Sequence, residues 1–450
     1  MIFLVLILNL MASDRLNDHQ KAELALLDLN FFYKGKGMII SPDLIKFYEA
    51  SKKIGLGLNN TGILNKRWGV ITQDRSIKGI FNEPYLGMQI GVLGCVACHS
   101  GKAAGEYIVG LGNKTIDVGQ IGSDVYKVQK MWGKIPHKNP EFKKIHDSAL
   151  EFTYGLATNR LTNETQGLVP TSLIRSWFYK MAGAEVPLDF PKGLVKVPHL
   201  WGYGEKRKTG SFWDGEANGV EPGWAVAVEL YAGQTVEHVR EYLPKVYQAE
   251  EYLSHLLPPK YPFKINLEKA KLGEKVYQNS CYKCHGSHIR DENNFPIYDS
   301  PKHIPLKVVK TDGERLRSNT SELYNLISQG PLSDLMQAWP REEKGYVAPK
   351  LWGIWSRFPY LHNGSVPTII DLLSKPEFRP KAFSLIASGE RENFDEKKLG
   401  LKLNKKIKTN LRSTYDTTKL GQSNQGHYFE SFDHLSSDDK ENLIEFLKTL

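Results

Sequence analysis

The stretch from Leu267 to His285 reads LEKAKLGEKVYQNSCYKCH. Its first part, Leu267 to Tyr277, spaces apolar residues among charged ones at a helical period and predicts an amphipathic helix. That helix runs directly into Cys281-Tyr282-Lys283-Cys284-His285, a C-x-x-C-H pattern. An earlier copy reads Cys95-Val96-Ala97-Cys98-His99, and the two copies use all 4 cysteines of the chain. The spacing has a chemical reason. Cysteines at this separation lie on one side of a single helical turn, so both sulfurs reach the vinyl groups along one edge of a porphyrin. The following histidine then faces the iron as its proximal ligand. C-x-x-C-H is the signature of c-type haem attachment. The expected cofactors are therefore two covalently bound haem c groups, attached through Cys95 and Cys98 and through Cys281 and Cys284. His99 and His285 are the expected axial ligands.

Two other chemistries compete for the same residues. A shared zinc site takes its ligands from compact motifs, whereas these pairs lie a domain's length apart and each has its own histidine. A redox dithiol of the thioredoxin kind needs a βαβ setting that neither flank resembles.

The 450 residues are 41% hydrophobic, 24% charged and 11% aromatic, the profile of a folded protein and not of a disordered one. The length exceeds what one hydrophobic core usually organises. The sharpest boundary is Leu257-Pro258-Pro259-Lys260-Tyr261-Pro262, where prolines stop a helix and impose an extended linker. At the far end Ser436 and Asp439 form a capping box ahead of Leu443, Phe446, Leu447 and Leu450, the stripe of a closing helix. The expected fold is mainly α, with two cytochrome c-like haem lobes, long loops and few short strands. Its expected divisions are residues 1–12, a signal peptide or anchor; 13–257, an N-terminal haem domain; and 258–450, a C-terminal haem domain. Within the first lobe the segment from Ser13 to Tyr33 reads as helix, and the glycines and proline from Gly55 to Gly87 read as loops. Tyr107 to Val118 suits a hairpin and Asp124 to Arg160 a helical region. The stretch from Pro187 to Trp224 is rich in Trp, Gly and Pro and suits loops.

Residues 1–12 form an apolar run of the length of a signal-peptide core, with Ala12-Ser13 as an approximate cleavage site and no basic residue ahead of it. Haem attachment to C-x-x-C-H takes place outside the bacterial cytoplasm, so the expected location is periplasmic, cell-surface or secreted. No later stretch is long and apolar enough to span a bilayer, which leaves the N-terminal segment as the single membrane contact to consider. The 59 basic and 50 acidic residues give a formal charge of +9, part of which four haem propionates would offset. No Lys/Arg cluster interleaved with aromatics points to nucleic acid, and the run Lys402 to Lys408 reads as a solvated loop. A basic face suits an acidic redox partner.

Further blocks carry a family resemblance. They are Leu93 to Gly101 (LGCVACHSG), Leu351 to Leu373 (LWGIWSRFPYLHNGSVPTIIDLL), Phe394-Asp395 with Leu399-Gly400, and Gly421 to His427 (GQSNQGH). These resemble the bacterial di-haem cytochrome c peroxidase superfamily, and more closely its rubber-oxygenase-like branch. The resemblance implies one haem suited to electron transfer and another that reacts with peroxide or dioxygen. Peroxidases of the superfamily take a distal Met or Tyr beyond the histidine of the block that holds His362. Here Ser374, Lys375 and Pro376 stand in that place, so that ligand is missing. In the rubber-oxygenase branch a C-terminal histidine serves, and His427 is the matching residue, with His362 and Met336 as alternatives. Otherwise His362 is a hydrogen-bonding residue of the Pro359 to Gly364 turn. The resemblance also implies a tryptophan between the haems, for which Trp201 and Trp213 are candidates; for either, plain packing is the competing reading.

Bis-histidine ligation saturates an iron, which would leave chemistry to the first haem. For that haem Met131, His137 and His146 are nearby candidate ligands, and no residue is assigned as catalytic. Two functions stay open. One is an oxidoreductase that activates peroxide or dioxygen at the N-terminal haem with electrons relayed through the C-terminal one. The other is an electron-transfer cytochrome with both irons six-coordinate, serving a redox partner protein.

Overall fold

The computed structural model describes residues 67–73, 76–85, 88–132, 165–203, 213–215, 236–292, 294–298, 302–335, 340–403 and 411–450, with short pieces at 20–21, 32–33, 36–37, 39–40, 140 and 143. Residues 1–12, His137, His146, Trp224, Met336, most of the Ser13 to Tyr33 segment and the side chain of Met131 lie outside the described residues.

Strand structure leads into the first C-x-x-C-H. β1 (Ile39–Ile40) flanks a hairpin of β2 (Ile80–Tyr85) and β3 (Met88–Leu93), paired from Ile80 opposite Leu93 to Tyr85 opposite Met88. Part of the region expected to be loops is therefore a sheet. Gly79, at φ +88°, explains the tight join, since a Cβ there would sit 2.3 Å from the Ala97 backbone nitrogen. The motif itself makes one helical turn, α1 (Val96–His99). A second hairpin, β4 (Ser100–Ala103) with β5 (Glu106–Val109), follows at once. It begins earlier than the expected hairpin at Tyr107 to Val118. Ala104 at φ +53° and Gly105 at φ +92° supply the two left-handed residues that a tight two-residue turn needs. Asp117 accepts from Gln120 N–H at 2.9 Å and starts α2 (Val118–Trp132) ahead of the expected helical onset.

Further on, β6 (Leu168–Pro170) pairs antiparallel with β7 (Leu194–Lys196) around α3 (Thr171–Met181). The helix α4 (Val236–Ser254) precedes the proline-rich stretch, which carries no regular structure. After it come α5 (Leu267–Ser280), capped by the Asn266 side chain, and the motif turn α6 (Tyr282–His285). The strands β8 (His303–Pro305) and β9 (Gly345–Val347) pair antiparallel. The closing helix α7 (Ser437–Lys448) starts at the expected capping box of Ser436 and Asp439. Among the described residues helices hold more residues than strands, and every strand is short. Among the described residues no helix is long and apolar enough to cross a membrane.

The helices α5 and α7 cross at Gly273, where an added Cβ would lie 1.9 Å from the Asn442 carbonyl oxygen. Tyr277, Leu443 and Leu447 are buried beside the crossing, and the Tyr277 and Phe446 rings lie 5.2 Å apart. The main core is continuous from Cys95, Leu111 and Trp201 through Leu253 and Leu256 to Trp352, Leu443 and Leu450. It therefore includes residues on both sides of the proline stretch.

Gly273→Ala is expected to destabilise the folded chain by about 1–3 kcal/mol through overpacking, although the same change in an open helix stabilises by about 1 kcal/mol. Denaturant unfolding checks this; an unchanged or raised midpoint would contradict the close crossing.

Candidate functional site

Each C-x-x-C-H forms the single turn its spacing demands. His99 N–H donates to Cys95 O at 2.9 Å and His285 N–H donates to Cys281 O at 3.0 Å. The first turn is clamped by Asn113, whose backbone N–H donates to Cys98 O at 2.8 Å and whose side-chain amide donates to Ala97 O and Gly69 O, each at 2.9 Å. The second is closed by Tyr277, whose hydroxyl donates to Gly286 O at 2.7 Å.

Both motif histidines have a proline carbonyl at Nδ1. His99 Nδ1 lies 3.3 Å from Pro198 O, and His285 Nδ1 lies 2.7 Å from Pro349 O. A carbonyl can only accept, so each Nδ1 carries a proton, which in a neutral ring leaves the lone pair on Nε2 at the far side. This is the orientation a metal-bound imidazole requires. The strap after Pro349 is pinned again where Leu351 N–H donates to His288 Nε2 at 2.8 Å.

The His427 ring stands opposite His285, with ring centroids 6.1 Å apart and planes at 45°. Two imidazoles on opposite sides of one metal place their centroids about 6 Å apart, from two bonds of about 2 Å plus about 1 Å from each nitrogen to its ring centre. The donor set and spacing thus fit one axially ligated iron. Among the described residues the buried Nδ1 of His427 has no hydrogen-bond partner. Burial is the main reason that His285 is pushed down to about 4 and His427 down to about 3, so both are neutral donors at physiological pH.

The loop that delivers His427 is held from within. His427 itself has φ +48°, and its N–H donates to Val309 O at 2.7 Å. A Cβ on the preceding Gly426 would lie 2.2 Å from the Lys310 carbonyl carbon, so only glycine fits. The buried Arg379 donates to Asn424 O at 2.5 Å and Gly426 O at 2.8 Å, and also to the carbonyls of Asp371, Leu372 and Ser374. Asn363 donates to Gly421 O at 3.2 Å and Ser423 O at 3.0 Å. These bonds tie the Leu351 to Leu373 block to the Gly421 to His427 block.

His362 sits elsewhere. Its ring stacks on Tyr346 at 4.1 Å, and its Nε2 lies 3.0 Å from the Tyr346 hydroxyl. That hydroxyl donates its hydrogen to Asp312 O at 2.7 Å, so His362 Nε2 is the donor to the phenol oxygen. The His362 carbonyl accepts from Lys196 N–H at 2.8 Å.

Between the two motifs lies a pair of tryptophans. Trp201 is fully buried, donates from Nε1 to Trp352 O at 3.0 Å, and packs 4.5 Å from the ring of His199. The Trp352 ring is 5.1 Å from His288. His199 follows the proline that holds His99, and His288 lies just past His285. Trp213 lies apart from this stack, with its carbonyl accepting from Val347 N–H and its ring beside Lys196. Sequence reasoning missed Trp352, Arg379 and the two prolines; Trp352 was visible inside the quoted block, whereas a carbonyl partner has no side-chain signature. The four thiols are free of disulfides, and burial pushes Cys281 up to about 12. Among the described residues no three His, Cys, Asp or Glu side chains converge to share a metal ion.

Residues 345–384 match the RoxA-like, cytochrome c-like family. The match covers β9, the strap at Leu351 and the His362 turn, and it supports a c-type cytochrome related to the rubber-oxygenase-like branch, with haem c as the implied cofactor. Two curated relatives are the uncharacterized proteins y4iM and y4iJ of Sinorhizobium fredii. The first is 28% identical over 208 residues, covering 39% of this chain and 44% of the relative. The second is 46% identical over 112 residues, covering 23% of this chain and 18% of the relative. The chain spans less than half the length of either relative.

Arg379→Met is expected to cost about 3 kcal/mol or more, because hydrogen bonds to a charged donor contribute about 1.5–3 kcal/mol each and several buried carbonyls lose their partner. Equilibrium unfolding measures the loss; a change under about 0.5 kcal/mol would mean that Arg379 does not hold the His427 loop.

Proposed function

We propose that this chain is an exported di-haem c-type cytochrome, an oxidoreductase that relays electrons from a C-terminal haem to an N-terminal haem reacting with peroxide or dioxygen. The observation that carries the reading is the 6.1 Å separation of the His285 and His427 rings, each with a neutral nitrogen to offer. In this reading residues 13–257 and 258–450 form the two haem lobes, and residues 1–12 direct export or anchor the chain. Cys95 and Cys98 carry one haem c beside His99; Cys281 and Cys284 carry the other between His285 and His427.

When bound, haem c supplies one-electron iron chemistry, and its axial ligands decide whether a substrate can reach the metal. His285 and His427 would both hold the iron at the second motif, which suits that site to electron transfer. Reaction with an oxidant then falls to the first motif, where His99 is oriented by Pro198 and the turn is clamped by Asn113. Trp201 and Trp352 pack between the motifs, exclude water from that space and offer aromatic rings along the route. The electron donor in this scheme is a partner protein, and the excess of basic residues favours one with an acidic face.

Low-temperature EPR of the oxidised, haem-loaded protein tests the reading. One low-spin signal should ignore added cyanide and turn high-spin in His427→Ala, while a second signal should respond to cyanide. Two signals that both ignore cyanide would make the chain an electron carrier. A low-spin signal that survives His427→Ala unchanged would remove His427 as a ligand.

A further inference from the structure

Three cationic side chains, Lys114, Lys196 and Arg357, line one cavity together with Pro198, His199 and Trp213. Lys114 and Arg357 are only 8% and 6% exposed. Their hydrogen-bond partners are neutral. Lys114 Nζ donates to Ser356 O at 3.3 Å and lies 3.4 Å from the Phe358 ring centre. Lys196 Nζ donates to Arg357 O at 2.5 Å and Pro359 O at 2.7 Å, and Arg357 Nη1 donates to Lys350 O at 2.8 Å. Among the described residues no Asp or Glu forms an ion pair with any of the three. Elsewhere the fold does pair its buried cations, as where Asp214 lies 2.6 Å from Arg315 and 3.7 Å from Arg175.

Grouping three cations, two of them buried and Lys196 half-buried, without an acid is costly, since each loses hydration and each repels the others. Burial lowers both lysines well below their usual range, and Lys196 is lowered further by its neighbours Arg357 and Lys114. Such a cluster is stable when an anion from outside the polypeptide completes it. Its position says which anion. Lys114 adjoins Asn113, the clamp on the first motif turn. Lys196 lies just before Pro198, the partner of His99. Arg357 bonds the carbonyl of Lys350, next to Pro349, the partner of His285. The cluster therefore adjoins the supports of both motifs: Pro198 lines its cavity, and Arg357 bonds the residue that follows Pro349.

We propose that Lys114, Lys196 and Arg357 form a carboxylate-binding site whose occupants are haem c propionates. This rests on reading the two C-x-x-C-H motifs as haem-attachment sites. A free carboxylate would suit the same cations, so the test separates the two sources.

The haem-loaded protein is compared with Lys196→Met and Arg357→Gln, which remove a charge and keep much of the side-chain length. Lys196→Met also takes the donor from the Arg357 and Pro359 carbonyls, so folding of each variant is checked by circular dichroism, and Arg357→Gln, which keeps an amide donor, is the second variant. Haem content is counted by the pyridine haemochrome assay in every sample. With that count unchanged, the propionate bending bands in the resonance Raman spectrum should shift in both variants. A haem reduction potential should fall, because an unneutralised propionate favours ferric iron. Bands and potentials identical to the parent protein would overturn the proposal while the haem reading stands. So would unchanged bands together with acetate perturbing the spectrum of the parent protein but not of Lys196→Met, which would assign the site to a free carboxylate. A parent protein without covalent haem would overturn the underlying reading and this inference with it.

Discussion

The hydrogen bond from His285 Nδ1 to the Pro349 carbonyl, at 2.7 Å, orders the second half of the molecule. It fixes which ring nitrogen carries the proton and so which one is free to bind a metal. The same strap is held at Leu351 by His288 and leads into Trp352, the turn at His362 and the segment that Arg379 anchors. Arg379 and Asn363 in turn hold the loop that sets His427 against His285. A displacement at Pro349 would therefore pass through a series of backbone carbonyls to the opposing histidine. Backbone acceptors suit this task, because such a bond itself adds no titratable group to the imidazole.

The first motif repeats the device with Pro198 at His99. Trp201 and Trp352 are buried in the main core, and the cations Lys114, Lys196 and Arg357 line a cavity with Pro198 and Trp213. One core cluster takes in residues from Cys95 to Leu450 and so includes residues beside both motifs. Residues 345–384, the segment with a family match, lie where the strap, the tryptophan pair and the His362 turn come together.

Much of this was legible in the amino-acid order where one residue type implies one chemistry. The C-x-x-C-H turns, the helix from Leu267, the capping box at Ser436 and the match of His427 to a family block are of that kind. Local geometry was read less well. Ala104-Gly105 makes the turn of a hairpin that the sequence placed later, because alanine rarely signals a left-handed residue. The strands before Cys95 were hidden by glycines and a proline that usually mark loops. Contacts made by backbone carbonyls, such as those of Pro198, Pro349 and the ones Arg379 gathers, leave no trace in side-chain identity. The cation cluster was equally hidden, since Lys114, Lys196 and Arg357 are far apart in the chain and meet only in the fold.

A covalent haem at each motif underlies every role given to these residues, and peptide mapping of the haem-loaded chain by mass spectrometry reads it out. This reading predicts that the peptide holding Cys95 to His99 and the peptide holding Cys281 to His285 are each heavier by one haem. Recovery of either peptide as a free dithiol or a disulfide would contradict it.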